Sequence, residues 1–275
     1  MAQQLKGHPL AKSIRARVAS QLNQLPTQPI LAVILVGQDP ASHLYVNLKR
    51  QACEEVGIGF ELFFYQEDVS TDVLKEAIQD LNVCEDVTGI LVQLPLPNQK
   101  TDEIIAQIDP QKDVDGFHPE NLRALQEGKD NLAPAVALGI IELIKRTEEP
   151  LNGKQAVIVS SQIFGRPLLP LLKKMGCQAT IVSPKDPELE RKTLTADILI
   201  SAVGKAGMIT GAMVKTHAMV IDVGTTRTDQ GTLGDVDWKS VDPIASWITP
   251  VPGGVGPMTV AMLLENVLKA YRIQN

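Results

Sequence analysis

The 275-residue chain carries 26 basic and 32 acidic residues, a formal net charge of −6, and is 44% hydrophobic, 21% charged and only 4% aromatic. A chain of this length buries roughly three quarters of the surface its unfolded form exposes, so it needs no disulfide or metal staple and forms one large domain or two of ordinary size. Net acidity, with only five Phe, three Tyr and two Trp, argues against a nucleic-acid binder, which needs a basic field or stacking rings.

The opening MAQQLKGHPLAKSIRARV has no apolar stretch followed by a small-residue cleavage site, so no secretory signal is expected. Leu10, Ile14, Val18 and Leu22 recur every four residues and predict an amphipathic first helix. ILAVILVG (Ile30–Gly37) reads as a buried strand ending in glycine, and 42–56 as a helix stopped by Gly57. FELFFYQ (Phe60–Gln66) predicts a second strand. Ser70-Thr71-Asp72 starts a helix that lasts to about Asn82, and GILVQLPLP (Gly89–Pro97) predicts a third strand. This β-α-β-α-β order implies a parallel sheet covered by helices.

From about Glu120 the chain is predicted helical, with a break around Asn131–Pro134, and LNGK (Leu151–Lys154) is a turn. QAVIVSS (Gln155–Ser161), ATIVS (Ala179–Ser183), DILISAVG (Asp197–Gly204) and AMVIDVG (Ala218–Gly224) then predict a second parallel α/β series of Rossmann type. A final helix spans about Pro257 to Ile273 and is expected to return to the first lobe. The fold class is therefore α/β, with two parallel-sheet lobes and a cleft between them. The expected division is 1–119 plus 258–275 for the first lobe and 120–257 for the second. The longest apolar run, Ile30 to Val36, is far shorter than the roughly 20 residues of a membrane helix. Cys53, Cys84 and Cys177 form no CxxC pair and the four histidines are isolated, so free thiols and no metal site are expected, as in a reducing cytoplasm.

Open parallel sheets bind ligands beyond the carboxyl ends of their strands, which directs attention to the residues just after each strand. Tyr45 and Lys49 follow the first strand and, four residues apart, share a helix face. Partial burial lowers a lysine's pKa and suits it to proton transfer near neutrality, while the ring can stack on a flat heteroaromatic. The same spacing also describes an ordinary solvated helix face. Gln93 sits where an apolar strand exits into prolines, as a satisfied core amide or a site residue. In Lys112-Asp113-Val114-Asp115-Gly116 the aspartates are turn caps or carboxylates offered to a ligand's N–H groups. Ile248–Thr259 packs three glycines and three prolines into eight residues, a loop able to approach a ligand through backbone alone.

Together, Y-x3-K at Tyr45 and Lys49, GILVQLPLP, KDVDGFHP, IDVG, GDVD and ITPVPGGVGPMT resemble the methylenetetrahydrofolate dehydrogenase/cyclohydrolase family from Leu5 to Leu268. The resemblance implies a bifunctional enzyme. It oxidises 5,10-methylenetetrahydrofolate with NADP, or NAD, then hydrolyses the methenyl product to 10-formyltetrahydrofolate. It implies that Tyr45 stacks on the folate, Lys49 is the general acid/base, Gln93 adjusts that lysine and Asp115 holds the pterin. Val92, Leu94, Pro252, Gly253 and Gly254 join the folate site. Ser160, Ser161, Ile163, Gly165, Arg166, Ser183, Ala202, Val203, Gly204, Asp222, Val223, Gly224, Thr225 and Gly254 fall on the cofactor side. It further implies a homodimer formed through the second lobe, with small-molecule partners and neither nucleic acid nor membrane.

The chain departs from the family on the cofactor side. The family's G-[RA]-S-x-I-V-G-x-P loop reads Val159-Ser160-Ser161-Gln162-Ile163-Phe164-Gly165-Arg166-Pro167 here. Valine for the first glycine predicts a branched side chain where a pyrophosphate would approach, and Ser160 replaces an arginine used for the 2′-phosphate of NADP. Only Ser183 and Lys185 follow the next strand as phosphate-binding candidates. The family's P-C-T-P-x-G stretch is Pro134-Ala135-Val136-Ala137-Leu138-Gly139. These changes predict weakened dinucleotide binding beside a better preserved cyclohydrolase. A monofunctional methenyltetrahydrofolate cyclohydrolase and a folate-binding pseudoenzyme stand as the alternatives.

Overall fold

A computed structural model describes residues 1–129, 131–229 and 231–275. The chain forms two compact units: Met1–Ala11 with Val136–Thr259, and Lys12–Ala135 with Val260–Asn275. The strands in chain order are β1 (Gln3–Gln4), β2 (Ile30–Val36), β3 (Gly59–Tyr65), β4 (Val87–Val92), β5 (Gln155–Ser160), β6 (Gln178–Val182), β7 (Ile198–Ala202), β8 (Met219–Asp222), β9 (Thr226–Thr228), β10 (Gly231–Leu233) and β11 (Trp247–Ile248). The main helices are α1 (Gly7–Leu22), α2 (Pro40–Val56), α3 (Thr71–Val83), α4 (Thr101–Ile105), α5 (Pro119–Gln126), α6 (Ala135–Lys145), α7 (Gln162–Gly165), α8 (Leu168–Lys174), α9 (Leu189–Thr193), α10 (Trp238–Val241) and α11 (Val255–Gln274).

In the unit of Lys12–Ala135 and Val260–Asn275, β2 lies between β3 and β4 in a parallel sheet of order β3-β2-β4. β2 and β4 are buried almost throughout, and their largely apolar, Val/Ile/Leu-rich sequences suit strands covered on both faces. β3 is the edge and is largely exposed or half-buried. The helix predicted from Ser70 is α3. Ser70 caps it by accepting a hydrogen bond from the Val73 N–H at 3.2 Å, and Leu74, Ile78 and Leu81 form its buried stripe against Ile34, Ile90 and Val92. Asp39 caps α2, accepting from Ser42 N and Oγ at 2.8 Å each, and Gly57 ends it in the left-handed conformation. The third strand stops at Val92, five residues short of the predicted limit. Gln93–Pro97 leave the sheet because the prolines there have no N–H for the ladder.

In the other unit β1-β11-β8-β7-β5-β6 form a parallel sheet over a core that includes Val157, Val159, Leu199, Val220 and Ile248. The four strands read from the sequence are β5, β6, β7 and β8. The two-residue strands β1 and β11 and the hairpin β9–β10 were not anticipated. The unit limits also differ from the expected ones, and at two of them the physical cause is plain. Gln3 and Gln4 pair with Trp247 and Ile248, which places the N-terminal residues with the six-stranded sheet. Residues 120–135 stay with the three-stranded sheet, because Asn121 donates to Asp113 Oδ2 and to the Pro110 carbonyl at 2.9 Å each, and Asn131 donates to Asn121. Among the described residues no helix is long and apolar enough to cross a membrane.

Candidate active site

Each sheet has one topological switch point, where the chain leaves a central strand first to one side and then to the other. In the three-stranded sheet this point lies between β2 and β4, and in the six-stranded sheet between β5 and β7. Ligands of open α/β sheets bind beyond the strand ends there.

At the first point α2 carries Tyr45 and Lys49 on one face, both half-buried. Gln93 is the first residue after β4. Its backbone N–H donates to the Ile34 carbonyl at 2.9 Å, which continues the sheet's pairing past the strand end. That bond fixes the side chain. Lys49 Nζ donates to Gln93 Oε1 at 2.8 Å, while Gln93 Nε2 donates to the Leu94 carbonyl at 2.7 Å and so locks the amide with its oxygen toward the lysine. Val92 is buried beside it and Leu94 half-buried.

Residues 112–116 lie along β4, since the Ile90 N–H donates to the Lys112 carbonyl at 2.7 Å. Here the structure separates the two aspartates that the sequence left ambiguous. Asp113 is the turn residue, accepting from the backbone N–H groups of Gly116 (3.1 Å) and His118 (2.7 Å) and from Asn121. Gly116 has φ +83°, and a Cβ there would come within 2.2 Å of the Ala133 carbonyl carbon, so no other residue fits. The Asp115 carboxylate has no hydrogen-bond partner among the described residues, so its acceptors are unused within the chain. Asn266 holds this turn in place by donating to the Val114 and Ala133 carbonyls at 2.8 Å each.

The electrostatics suit proton transfer. Burial pushes Lys49 below its ordinary value, and the nearby Asp115 and Cys53 oppose that only in part. Burial raises Asp115, with Lys49 opposing. Both groups therefore lean toward their neutral forms, the condition in which a proton moves with little energetic bias. Burial drives the Cys53 thiol up to about 12, which makes it inert as a nucleophile.

At the second point Ser160 ends β5, buried, with its Oγ donating to the Ser161 carbonyl at 2.9 Å. Ser161 caps α7 by accepting from the Phe164 N–H. Gly165 packs that turn onto the sheet, since a Cβ there would meet Ile181 at 2.8 Å. Ile163, Arg166, Ser183 and Lys185 are exposed near these strand ends, Ile163 at 70%. Ala202 ends β7 and Val203 and Gly204 follow it, while Val223, Gly224 and Thr225 follow β8. The valine at 159 does not crowd this edge. It is still within β5, paired with Val182 and Ser201, and its side chain is wholly buried in the core. The predicted steric obstruction to a pyrophosphate is thus removed by the strand's alternation, which turns the branched side chain inward.

Asp222 is also placed differently from a residue offered to a ligand. Its Oδ1 accepts from the N–H groups of Gly224 and Asp235 and its Oδ2 from that of Val236, each at 2.9 Å. Burial pushes it up to about 6 despite these bonds. In the glycine- and proline-rich loop, Thr249 Oγ1 accepts from the Asp222 N–H at 2.7 Å, and the Gly253 carbonyl accepts from the Gly7 N–H at 2.8 Å. Gly254 is buried, Gly253 half-buried and Pro252 exposed. Two residues escaped sequence reasoning. Asp235, in GDVD, is fully buried and binds the loop after β7. Thr226 holds a shielded hydroxyl with no hydrogen-bond partner. Only the recurrence of GDVD within the resemblance signalled the first, and nothing signalled the second.

Models of two domains match the chain: the tetrahydrofolate dehydrogenase/cyclohydrolase catalytic domain over residues 5–115, and the NAD(P)-binding domain of the same family over residues 134–275. The chain belongs to the tetrahydrofolate dehydrogenase/cyclohydrolase family. It is 46% identical to the bifunctional protein FolD of Brevibacillus brevis, across 98% of this chain and 97% of that relative. The bifunctional FolD methylenetetrahydrofolate dehydrogenase/cyclohydrolase of Campylobacter jejuni superposes with a TM-score of 0.95 at 40% identity, covering 100% of both chains. The Trypanosoma brucei enzyme, solved with NADP cofactor and inhibitor, superposes with a TM-score of 0.93 at 31% identity, covering 99% of this chain and 98% of that one. Among the described residues no cluster of His, Cys, Asp or Glu is arranged to hold a metal ion, and Cys53, Cys84 and Cys177 are free.

Proposed function

We propose that this chain carries both activities of its family: NADP-dependent oxidation of 5,10-methylenetetrahydrofolate and hydrolysis of the methenyl product to 10-formyltetrahydrofolate. The observation that carries the reading is Lys49, with its charge disfavoured by burial and its Nζ 2.8 Å from Gln93 Oε1, at the switch point where Asp115 keeps an unpaired carboxylate.

The residues have distinct tasks. Tyr45, one turn from Lys49, offers a ring face to the pterin. Asp115 accepts hydrogen bonds from the pterin's amino and ring N–H groups, and the buried Val92 and half-buried Leu94 flank Gln93. The loop of Pro252, Gly253 and Gly254 is assigned to the folate by resemblance. In hydrolysis Lys49, as the neutral amine, takes a proton from the water that attacks the methenyl carbon. As the ammonium it returns a proton to the ring nitrogen that leaves when the ring opens. Gln93 accepts a hydrogen bond from that lysine and favours its ammonium form.

The second switch point fits a dinucleotide. Ser160, Ser161 and Ser183 place hydroxyls at the ends of β5 and β6, Gly165 permits close helix–sheet packing, Val159 is turned away, and Gly204 is exposed with open space where a Cβ would be. When bound, NADP supplies the acceptor for the hydride that leaves the methylene carbon. Ser160, Ser161, Ala202, Val203, Gly204, Val223, Gly224 and Thr225 would border it, and Ser183 and Lys185 would meet its 2′-phosphate. No acidic residue directly follows β6, which favours the phosphate over a bare ribose hydroxyl. We extend the reading to a cytoplasmic homodimer on the strength of the family resemblance.

The test supplies methylenetetrahydrofolate with NADP or NAD and follows reduced-cofactor absorbance, then follows loss of supplied methenyltetrahydrofolate without cofactor. Turnover in both assays supports the reading. Hydrolysis with no reduction of either dinucleotide would leave a monofunctional cyclohydrolase, and activity in neither assay a pseudoenzyme.

A further inference from the structure

The loops after β7 and β8 form the dinucleotide edge of the proposed site, yet neither is held mainly by its own backbone. Two buried carboxylates hold them in series. Asp222, at the end of β8, accepts from the N–H groups of Asp235 and Val236 and so fixes where Asp235 begins. Asp235 then reaches the next loop. Its Oδ2 accepts from Ser201 Oγ at 3.0 Å and from the Val203 N–H at 2.6 Å, and its Oδ1 accepts from the Lys205 N–H at 2.9 Å. The approach is close enough to dictate sequence: a Cβ on Gly234 would lie 1.9 Å from Asp222 Oδ2, and one on Gly224 would lie 2.2 Å from Asp235 Oδ1.

Between the two pinned amides stands Gly204, exposed, at φ +72°, with open space where a Cβ would be and with an N–H that donates to no described residue. One free backbone donor is thus held between two that are used up. Such a donor binds an oxygen well only if its direction is fixed before the ligand arrives.

We propose that Asp235 is the positioning residue of the dinucleotide site, acting through the Val203–Lys205 backbone to aim the Gly204 amide at the cofactor, with Asp222 as the brace that holds Asp235. This rests on the proposed function only in taking that edge as the dinucleotide's. Asp235 touches neither substrate nor cofactor. Its carboxylate serves the cofactor side alone, so its loss separates the two activities of the chain.

The experiment measures NADP affinity by calorimetric titration of the purified protein, together with hydrolysis of supplied methenyltetrahydrofolate without cofactor and the melting temperature. The proteins are wild type, D235N and S201A. The wild type comes first: if it binds neither NADP nor NAD, the functional reading fails and not the positioning role. Given wild-type binding, D235N is expected to weaken NADP at least about tenfold, the loss of one charge-assisted hydrogen bond, while hydrolysis stays within about twofold. S201A removes one donor and leaves both backbone bonds, so about threefold weakening is expected. Unchanged NADP affinity in D235N overturns the proposal. So does a parallel fall of affinity, hydrolysis and melting temperature in both variants, because that pattern marks a merely structural residue. If D235N alone fails to fold, S201A decides: weakened NADP with intact hydrolysis supports the role, and unchanged affinity overturns it.

Discussion

Gln93 offers two substitutions with opposite consequences for one titration. The amide oxygen lies 2.8 Å from Lys49 Nζ and Gln93 is only 8% exposed, so water replaces it poorly. As a neutral acceptor it stabilises the ammonium over the amine. Leucine removes that acceptor and nearly preserves volume. A hydrogen bond to a charged donor contributes about 1.5–3 kcal/mol, more than one to a neutral amine, so the Lys49 pKa falls further. Glutamate instead sets a negative charge at the same distance. With an effective dielectric constant of about 20 the attraction at this separation is about 6 kcal/mol, an upper bound since the new carboxyl can itself hold the proton, and the Lys49 pKa rises. The assay is kcat/KM for methenyltetrahydrofolate hydrolysis against pH, corrected for the buffer reaction, which reports the free enzyme's titrations. The limb belonging to Lys49 moves to lower pH in Q93L and to higher pH in Q93E. Limbs that stay in place while only the height changes, or that move the same way in both variants, would refute the assignment of that titration to Lys49 under control of Gln93.

Three further outcomes follow from the geometry. Gly116→Ala forces both an unfavourable φ and a 2.2 Å clash with Ala133, so the mutant loses at least about 2 kcal/mol in chemical denaturation; a wild-type midpoint would contradict the turn's tight closure. Asp222 titrates near 6 in a carbon-detected NMR experiment. Its folded pKa lies above the unfolded value, so the stability gained from its neutral form is fully present below about 4 and is lost as the pH rises through about 6; a midpoint in the ordinary carboxylate range would show that water reaches the carboxylate. Lys185→Ala raises the KM for NADP several-fold and leaves that for NAD unchanged, whereas equal effects on both dinucleotides would remove Lys185 from the 2′-phosphate.

The order of long elements was legible in the sequence because their patterns are physical. Buried parallel strands read as short stretches rich in Val, Ile, Leu and Ala in β2, β4, β5, β7 and β8, and α3 announces itself through Ser70 and the Leu74–Ile78–Leu81 stripe. Two-residue strands such as β1 and β11 have no period to read and exist only through their pairing across the chain. Tyr45, Lys49 and Gln93 stood out as candidates because ligands of open parallel sheets bind beyond the strand ends, and the structure brings Lys49 and Gln93 into contact. The expectation of Asp115 over Asp113 came from the resemblance, because either aspartate fits an Asx turn and only the folded bonds from Gly116, His118 and Asn121 show that Asp113 makes it. Val159 misled because the motif comparison treated it as a residue facing the ligand, although it lies within the strand read from the sequence and its side chain turns into the core. Asp235 acts on residues about 30 positions away, and its neighbours in sequence carry no trace of that.

The central claim is that one chain performs both steps, with Lys49 needed for hydrolysis. The most direct measurement follows reduced cofactor and methenyltetrahydrofolate together after mixing methylenetetrahydrofolate and NADP with wild type or with Lys49→Met. The account predicts that wild type reduces NADP with little methenyl accumulation, and that the Lys49→Met enzyme still binds NADP but does not hydrolyse methenyltetrahydrofolate supplied to it. Undiminished hydrolysis by the folded Lys49→Met enzyme, or failure of the wild type to reduce any dinucleotide, would contradict it.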